Sequence, residues 1–371
     1  MKILLVHAYF KPEFEQAEIV RTEREQRMVL MLRELGVQSE HCMLTVGRER
    51  SRASNTASSL LFPVDKVHGK RRRSYFSRDL CRFIDAWKPD LVLFKGMGFK
   101  LPWRLYLGTR HPFPCGFIVG GDRGDVLLRL ASVILSESPF PGHERFDEAG
   151  PGCAIRFLPK LVPDGPVQGI QDVPEYDAVA VGNLIKRKNL PALRMIPNRF
   201  RVGVIGDGPL RQALEAEFAD TPHIELLGER SPEDTLRLIA RARVLVHPAH
   251  SEGVPRVAYE ALSQGVPVIG LREVLAPAIR DGREGILVED VAALGSAVEE
   301  LLGNQELADR LKYNATEFAK AYLGEQALES VVIFLRDLVA SLGPAAARKR
   351  KWLVRSIVLK QRARKLVTRK R

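Results

Sequence analysis

Cysteine is scarce in this chain. Four thiols, Cys42, Cys81, Cys115 and Cys153, are scattered through 371 residues with no C-x-x-C pair and no metal-ligand spacing. That excludes a disulfide scaffold and a zinc framework, and it fits free or buried thiols in a reducing compartment. Long apolar runs are missing too, and no stretch approaches the roughly 20 residues of a membrane-spanning helix. Met1 to Val6 is apolar enough to open a leader peptide, but the run is short and Lys11, Glu13 and Glu15 follow it, so a first buried strand is expected instead. The sequon Asn314-Ala315-Thr316 is a coincidence in a cytosolic protein. Glycine is absent from the segment after the first strand, His7-Ala8-Tyr9-Phe10-Lys11-Pro12-Glu13. No Asp-x-Asp follows a strand. Asp122 and Asp125 are separated by two residues and lack a supporting acid cluster. Finally, Ala345 to Arg371 contains no acid at all.

What is present suits a two-domain α/β protein. The length fits two domains, and an apolar content of 45% supplies two cores. Lys2 to His7 reads as a strand and Glu23 to Leu35 as a helix closed by Gly36. Asp90 to Phe94, Cys115 to Val119 and Val133 to Leu135 read as further strands. Lys160 to Tyr176 is rich in Pro, Gly and Asp and reads as a linker. A second β/α series follows, with strands at Asp177–Val181, Phe200–Ile205, His223–Leu227, Arg243–His247 and Val266–Leu271. Alternating strands and helices argue for parallel sheets covered on both faces. The expected organisation is residues 1–170, residues 171–342 and a basic tail at 343–371, with a cleft between the two domains.

The most informative segment is Ser251-Glu252-Gly253-Val254-Pro255-Arg256-Val257-Ala258-Tyr259-Glu260. Its two carboxylates lie eight positions apart, just beyond an apolar strand ended by Pro248. Val257, Ala258, Ala261 and Leu262 make one apolar helical stripe, Pro255 suits the first helical position, and Gly265 suits a C-terminal cap. Glu252 therefore sits on the turn beyond the carboxyl end of a strand, where open α/β sheets bind ligands. Taken alone, the two acids fit equally well a solvated loop acid and an i,i+4 pair of Glu260 with Arg256. Four further segments accompany them in order. They are Val181-Gly182-Asn183-Leu184 with Lys188-Asn189, Val204-Ile205-Gly206-Asp207-Gly208-Pro209, Leu226-Leu227-Gly228 with Ser231-Pro232-Glu233-Asp234, and Asp281-Gly282-Arg283-Glu284-Gly285-Ile286-Leu287-Val288.

From Asp177 to Leu342 this series resembles the retaining GT-B glycosyltransferases of family 4, the group 1 glycosyltransferases. The resemblance implies two Rossmann-like domains, transfer of a sugar from a nucleotide-diphosphate donor with retention, and no metal or other cofactor. It implies that Glu252 contacts the donor sugar's hydroxyls. The amides of Gly253 and Val254 would hold phosphate oxygen, and Glu260 would accept from the ribose hydroxyls. Lys188 would face the leaving phosphate, with Gly206 and Gly208 lining the donor site. Family members usually have an Arg where Asn183 stands. Arg187 is a candidate substitute for that charge. Asn189 can cap a helix beginning there, with Pro191 early in it, which would add a helix N-terminus to the anion site. His250 is a further candidate for the sugar. The first half matches poorly, so the acceptor side is not inherited from the family. Gly120-Gly121-Asp122-Arg123-Gly124-Asp125 fits either a cleft-facing loop or an ordinary strand-to-helix turn.

The twelve Lys and Arg residues from Ala345 to Arg371 equal the whole net charge of +12, so the body of the chain is neutral. Trp352, Leu359, Ala363 and Leu366 would share one face of a helix there. A basic amphipathic segment with a Trp suits an anionic membrane surface, although a solubilising tail has the same composition and nucleic acid would attract the same charge. Lys70-Arg71-Arg72-Arg73 is a second basic run. The expected protein is cytoplasmic, at the inner face of a membrane, and transfers sugar to a cell-envelope glycan or lipid-linked acceptor. Two other readings stand beside it: a non-catalytic binding protein on the same scaffold, and an epimerase of the nucleotide sugar.

Overall fold

A computed structural model describes residues 1–9, 22–54, 57–65, 75–120, 126–140, 149–150, 152–162, 165, 167 and 174–342. Lys11 to Glu13, Lys70 to Arg73, Gly121 to Asp125 and the basic tail lie outside the described residues. The chain divides into two compact units. Unit 1 holds Met1–Glu137, Arg145–Leu158 and the described residues from Leu328 on, while unit 2 holds Ser138–Glu144 and Pro159–Ala327.

In unit 1 the strands are β1 (Lys2–His7), β2 (Gln38–Thr45), β3 (Ser51–Arg52), β4 (Leu60–Pro63), β5 (Leu91–Lys95), β6 (Cys115–Val119), β7 (Ala131–Ser136) and β8 (Ala154–Phe157). They form one sheet in the order β3-β4-β2-β1-β5-β6-β7-β8, parallel except for β3. Its helices are α1 (Glu23–Glu34), α2 (Arg78–Trp87) and α3 (Leu101–Gly108). Leu4, Val6, Val92, Phe94, Phe117 and Ile134 belong to one buried cluster on this sheet. β2, β3, β4 and β8 are absent from the sequence reading. β2 reads Gln-Ser-Glu-His-Cys-Met-Leu-Thr, with one β-branched residue and no clean alternation. The sheet buries it nonetheless, because β1 pairs with it from Lys2 to Val6.

Unit 2 carries β9 (Tyr176–Val181), β10 (Val202–Ile205), β11 (Ile224–Gly228), β12 (Ala242–His247), β13 (Val268–Leu271) and β14 (Gly285–Val288). Its helices are α4 (Arg211–Glu217), α5 (Pro232–Ala240), α6 (Arg256–Ser263), α7 (Arg272–Leu275), α8 (Leu294–Gly303) and α9 (Gln305–Tyr322). A last helix, α10 (Gly324–Ser341), begins in unit 2 and belongs to unit 1 from Leu328 on. The sheet is wholly parallel in the order β11-β10-β9-β12-β13-β14. Ala178 and Ala180 of β9 pack into one core and Val179 into the core on the other face. Both faces are therefore covered, which explains why these strands read as short apolar runs rather than alternating ones.

The strand order of unit 2 reverses direction between β9 and β12. In doubly wound sheets that reversal opens a crevice at the carboxyl ends of the two strands. Whatever the loops after Val181 and His247 carry is presented there.

Candidate functional site

The loop after β9 turns at Gly182 and runs through a 3₁₀ turn at Lys186–Lys188. Asn189 then takes a left-handed conformation (φ 50°) and a second 3₁₀ segment covers Leu190–Met195. The expected Asn189 cap is therefore corrected. Its side chain makes no cap hydrogen bond; instead Nδ2 donates to Pro248 O at 3.3 Å and ties this loop to the one after β12. Asn tolerates the left-handed region better than most residues, which suits it to this knuckle. With no α-helix starting here, Lys188 acts as a point charge rather than beside a helix dipole.

The loop after β12 runs from Pro248 to Pro255 and feeds α6. Pro255 is the N-cap rather than the first helical residue. Gly253 and Val254 precede it, Gly253 exposed and Val254 half-buried. The helix closes as expected. Gly265 N donates to Leu262 O (3.0 Å) and Val266 N to Ala261 O (2.9 Å), with Gly265 at φ 71°. This Schellman arrangement is why glycine stands there. It fixes the length of α6 and with it the position of Glu260.

The two loops bring their charges together. Lys188 Nζ lies 2.7 Å from Glu252 Oε1, and Arg187 pairs with the same oxygen while donating from Nη1 to Ser251 O at 2.9 Å. His250 N donates back to Arg187 O at 3.2 Å. Lys188 lies over Gly182, where a Cβ would meet its Cε at 2.8 Å, so any larger residue would push the ammonium aside. Burial alone would raise the Glu252 carboxyl. The neighbouring side chains of His247 and Lys188 and the Lys188 charge outweigh it and hold the group well below the usual carboxylate range.

His247, the last residue of β12, appears in the sequence only as a strand end. Its ring is buried, with Nε2 at 3.3 Å from Glu252 Oε2 but outside hydrogen-bond alignment. Burial pushes its pKa down against the pull of Glu252, and the Lys188 charge adds to the lowering, which favours the neutral imidazole. One signal in the sequence marks it: a histidine that ends an apolar strand at a Pro lies at the crevice rather than in the core.

Other site residues fall nearby or apart. Asn183, Gly206 and Gly208 line a pocket of about 580 Å³ together with Gly182, Asp207 and Arg230. Gly206 is at φ 136°, and a Cβ there would meet Gly182 O at 2.1 Å, so glycine is required by the close approach of the two loops as well as by the pocket. Pro209 does not begin a helix, since α4 starts at Arg211. Glu260 lies on α6 in an i,i+4 pair with Arg256 (2.9 Å), and burial raises its carboxyl pKa despite that partner. In the Asp281–Val288 segment, Asp281 Oδ1 accepts from Leu287 N at 2.9 Å and Glu284, fully buried, pairs with Arg280. Asp281 thereby clasps β14. Asp122 and Asp125 lie outside the described residues. Among the described residues no group of three or more His, Cys, Asp or Glu side chains is placed to share a metal ion.

Residues 177–304, which hold every residue of the cluster and pocket, match the family described as Glycosyl transferases group 1. An uncharacterised glycosyltransferase of Methanocaldococcus jannaschii is 34% identical over 137 residues, covering 36% of this chain and 39% of that protein. A lipopolysaccharide core biosynthesis glycosyltransferase of Rhizobium meliloti is 25% identical, over 53% of this chain and 61% of its own length. The chain thus spans less than two-thirds of the length of these relatives. Among solved structures, the Anabaena protein HepE in complex with UDP and glucose superposes with a TM-score of 0.63 at 14% identity, over 92% of this chain and 100% of that one. The pair of Rossmann-like units is thereby the GT-B fold, and residues 177–304 resemble a domain of the group 1 glycosyltransferases.

Proposed function

We propose that the chain is a retaining glycosyltransferase that takes its sugar from a nucleotide-diphosphate donor bound in unit 2. The observation that carries this reading is the meeting of Lys188 and Arg187 with Glu252 at the reversal of strand order. Breaking the bond between the anomeric carbon and the diphosphate builds negative charge on the leaving oxygen and positive charge on the sugar ring. A site made for this step needs fixed cations beside a fixed carboxylate. Lys188 and Arg187 are the cations, and Arg187 supplies the charge that Asn183 lacks. Glu252 is assigned to the sugar hydroxyls, the amides of Gly253 and Val254 to phosphate oxygen, and Glu260 to the ribose diol. The pocket beside Asn183, Gly206 and Gly208 is assigned to the nucleoside. No metal is needed in this reading, because the two cations face the phosphates.

A cell-envelope glycan or lipid-linked acceptor is proposed, in keeping with the lipopolysaccharide core relative. No described helix is long and apolar enough to cross a membrane. Docking on the inner face of the membrane is therefore assigned to the basic tail, with nucleic acid the less favoured partner. Removing residues 344–371 is expected to abolish sedimentation with anionic vesicles at low salt and leave donor binding intact.

The test of the donor reading is a thermal-shift panel of nucleotide sugars followed by release of nucleoside diphosphate without acceptor. A bound donor raises the melting temperature, and only an enzyme releases the diphosphate. Stabilisation without release would favour a binding protein, and interconversion of the sugar would favour an epimerase.

A further inference from the structure

The carboxylate at this site occupies the place that the diphosphate is proposed to take. One oxygen of Glu252 receives both cations: Lys188 Nζ at 2.7 Å and Arg187 Nη1. The other faces His247 Nε2 at 3.3 Å, a buried nitrogen with no hydrogen-bond partner of its own. Lys188 and Glu252 are only 12% and 11% exposed, so water screens their attraction poorly.

We propose that Glu252 is the resident counter-ion of the diphosphate seat, and that an incoming diphosphate must displace it from Lys188 and Arg187. This rests on the reading of those two cations as the phosphate partners. A diphosphate carries more negative charge than a carboxylate and offers more acceptor atoms, so it takes the cations when it arrives. Like charges in one half-buried site repel, and Glu252 cannot keep its present place beside the phosphates. Two changes follow from that displacement. Glu252 loses its ion pairs and becomes available to the sugar hydroxyls. His247 Nε2, already 3.3 Å from Oε2, is a donor within reach that can hold the released carboxylate once the ring turns and takes the matching tautomer. Free diphosphate without a sugar bears the cost of that displacement with no hydroxyl to repay it. The seat therefore discriminates against the bare leaving group and favours the intact donor, which helps product leave.

Inorganic pyrophosphate is the probe, titrated calorimetrically into the full chain at about 50 mM salt. Removing the carboxylate's charge in Glu252→Gln is expected to tighten pyrophosphate binding at least tenfold over wild type. Lys188→Ala is expected to weaken it at least tenfold. Glu252→Ser is carried as a second variant, and circular dichroism and the melting temperature verify that each variant is folded. Unchanged or weaker binding in both Glu252 variants, with Lys188→Ala still impaired, would overturn the counter-ion role and leave the diphosphate seat standing. Equal binding by Lys188→Ala and wild type, or no binding by any variant, would overturn both.

Discussion

Both units place charged side chains at the reversal point of their sheets, and they use them differently. In unit 1 the reversal lies between β1 and β5. Glu25, in the first turn of α1, is 1% exposed, pairs with Arg24 at 2.6 Å, and sits 2.7 Å from Lys95 at the end of β5. Arg24 also pairs with Glu137 just past β7. Two cations and two anions face one another, largely out of water. Burial alone would raise the Glu25 carboxyl, and the Arg24 and Lys95 charges overcome it and hold it far below the ordinary range. In unit 2 the cluster has two cations for one carboxylate, and Arg187 is 46% exposed. A balanced, buried network matches its charges within the protein and serves its architecture. An unbalanced, open one has charge left for a ligand. The same position in the same kind of sheet is thus structural in one unit and assigned to chemistry in the other.

The largest expected contrast is in stability. Glu25→Ala leaves Arg24 and Lys95 without their shared carboxylate and is expected to cost about 3–5 kcal/mol. Glu252→Ala is expected to cost less than that, because Arg187 is 46% exposed and can turn to water. Urea unfolding of the two variants checks the pair, and equal losses would erase the contrast between the units.

A pH profile sharpens it. His41 is buried in β2 with Nδ1 at 2.7 Å from Ser59 Oγ, and burial, with a smaller contribution from His7, pushes it from 6.5 down to about 3. A group with a depressed folded pKa is protonated more readily when unfolded. Its stabilisation is complete above pH 6.5 and is lost as pH falls towards 3, at up to about 1.4 kcal/mol per pH unit. Glu25 adds to the loss only below about pH 4.5, the ordinary value of its carboxyl. Between pH 6.5 and 4.5, His41→Asn is therefore expected to flatten the unfolding free energy of unit 1. An unchanged slope would remove His41 from this account.

The smallest effect belongs to α6. Arg256 is 60% exposed, and its pair with Glu260 is a surface i,i+4 contact. Arg256→Ala is expected to shift stability by no more than about 0.5 kcal/mol in thermal or urea unfolding. A loss several times larger would mean that Glu260 serves the helix rather than a ligand.

Unit 2 was more legible in the sequence than unit 1, for physical reasons. β9 and β12 are short, apolar and buried on both faces, and glycines and prolines mark their ends, so strand, turn and following helix appear as local signals. The Lys188–Glu252 pair could be foreseen because each residue sits just past such a strand. Their direct contact could not, since it depends on how two loops 64 positions apart fold against each other. Asn189 shows the limit of local reading. Its side chain suits a cap, but its backbone is left-handed and its amide is spent on Pro248. The unit 1 network gave no signal at all, with Arg24 and Glu137 separated by 113 positions. β8 gives no local signal because it is a four-residue edge strand with exposed residues at its centre.

The most direct test of the account is the affinity of Lys188→Ala for a panel of nucleoside diphosphates, set against wild type by calorimetry. The account predicts that the nucleoside diphosphate which wild type binds best is weakened at least tenfold, the effect of losing one charge-assisted phosphate contact. Equal affinity for every nucleoside diphosphate in the two proteins would contradict the assignment of the Lys188–Arg187–Glu252 cluster as the donor's diphosphate site.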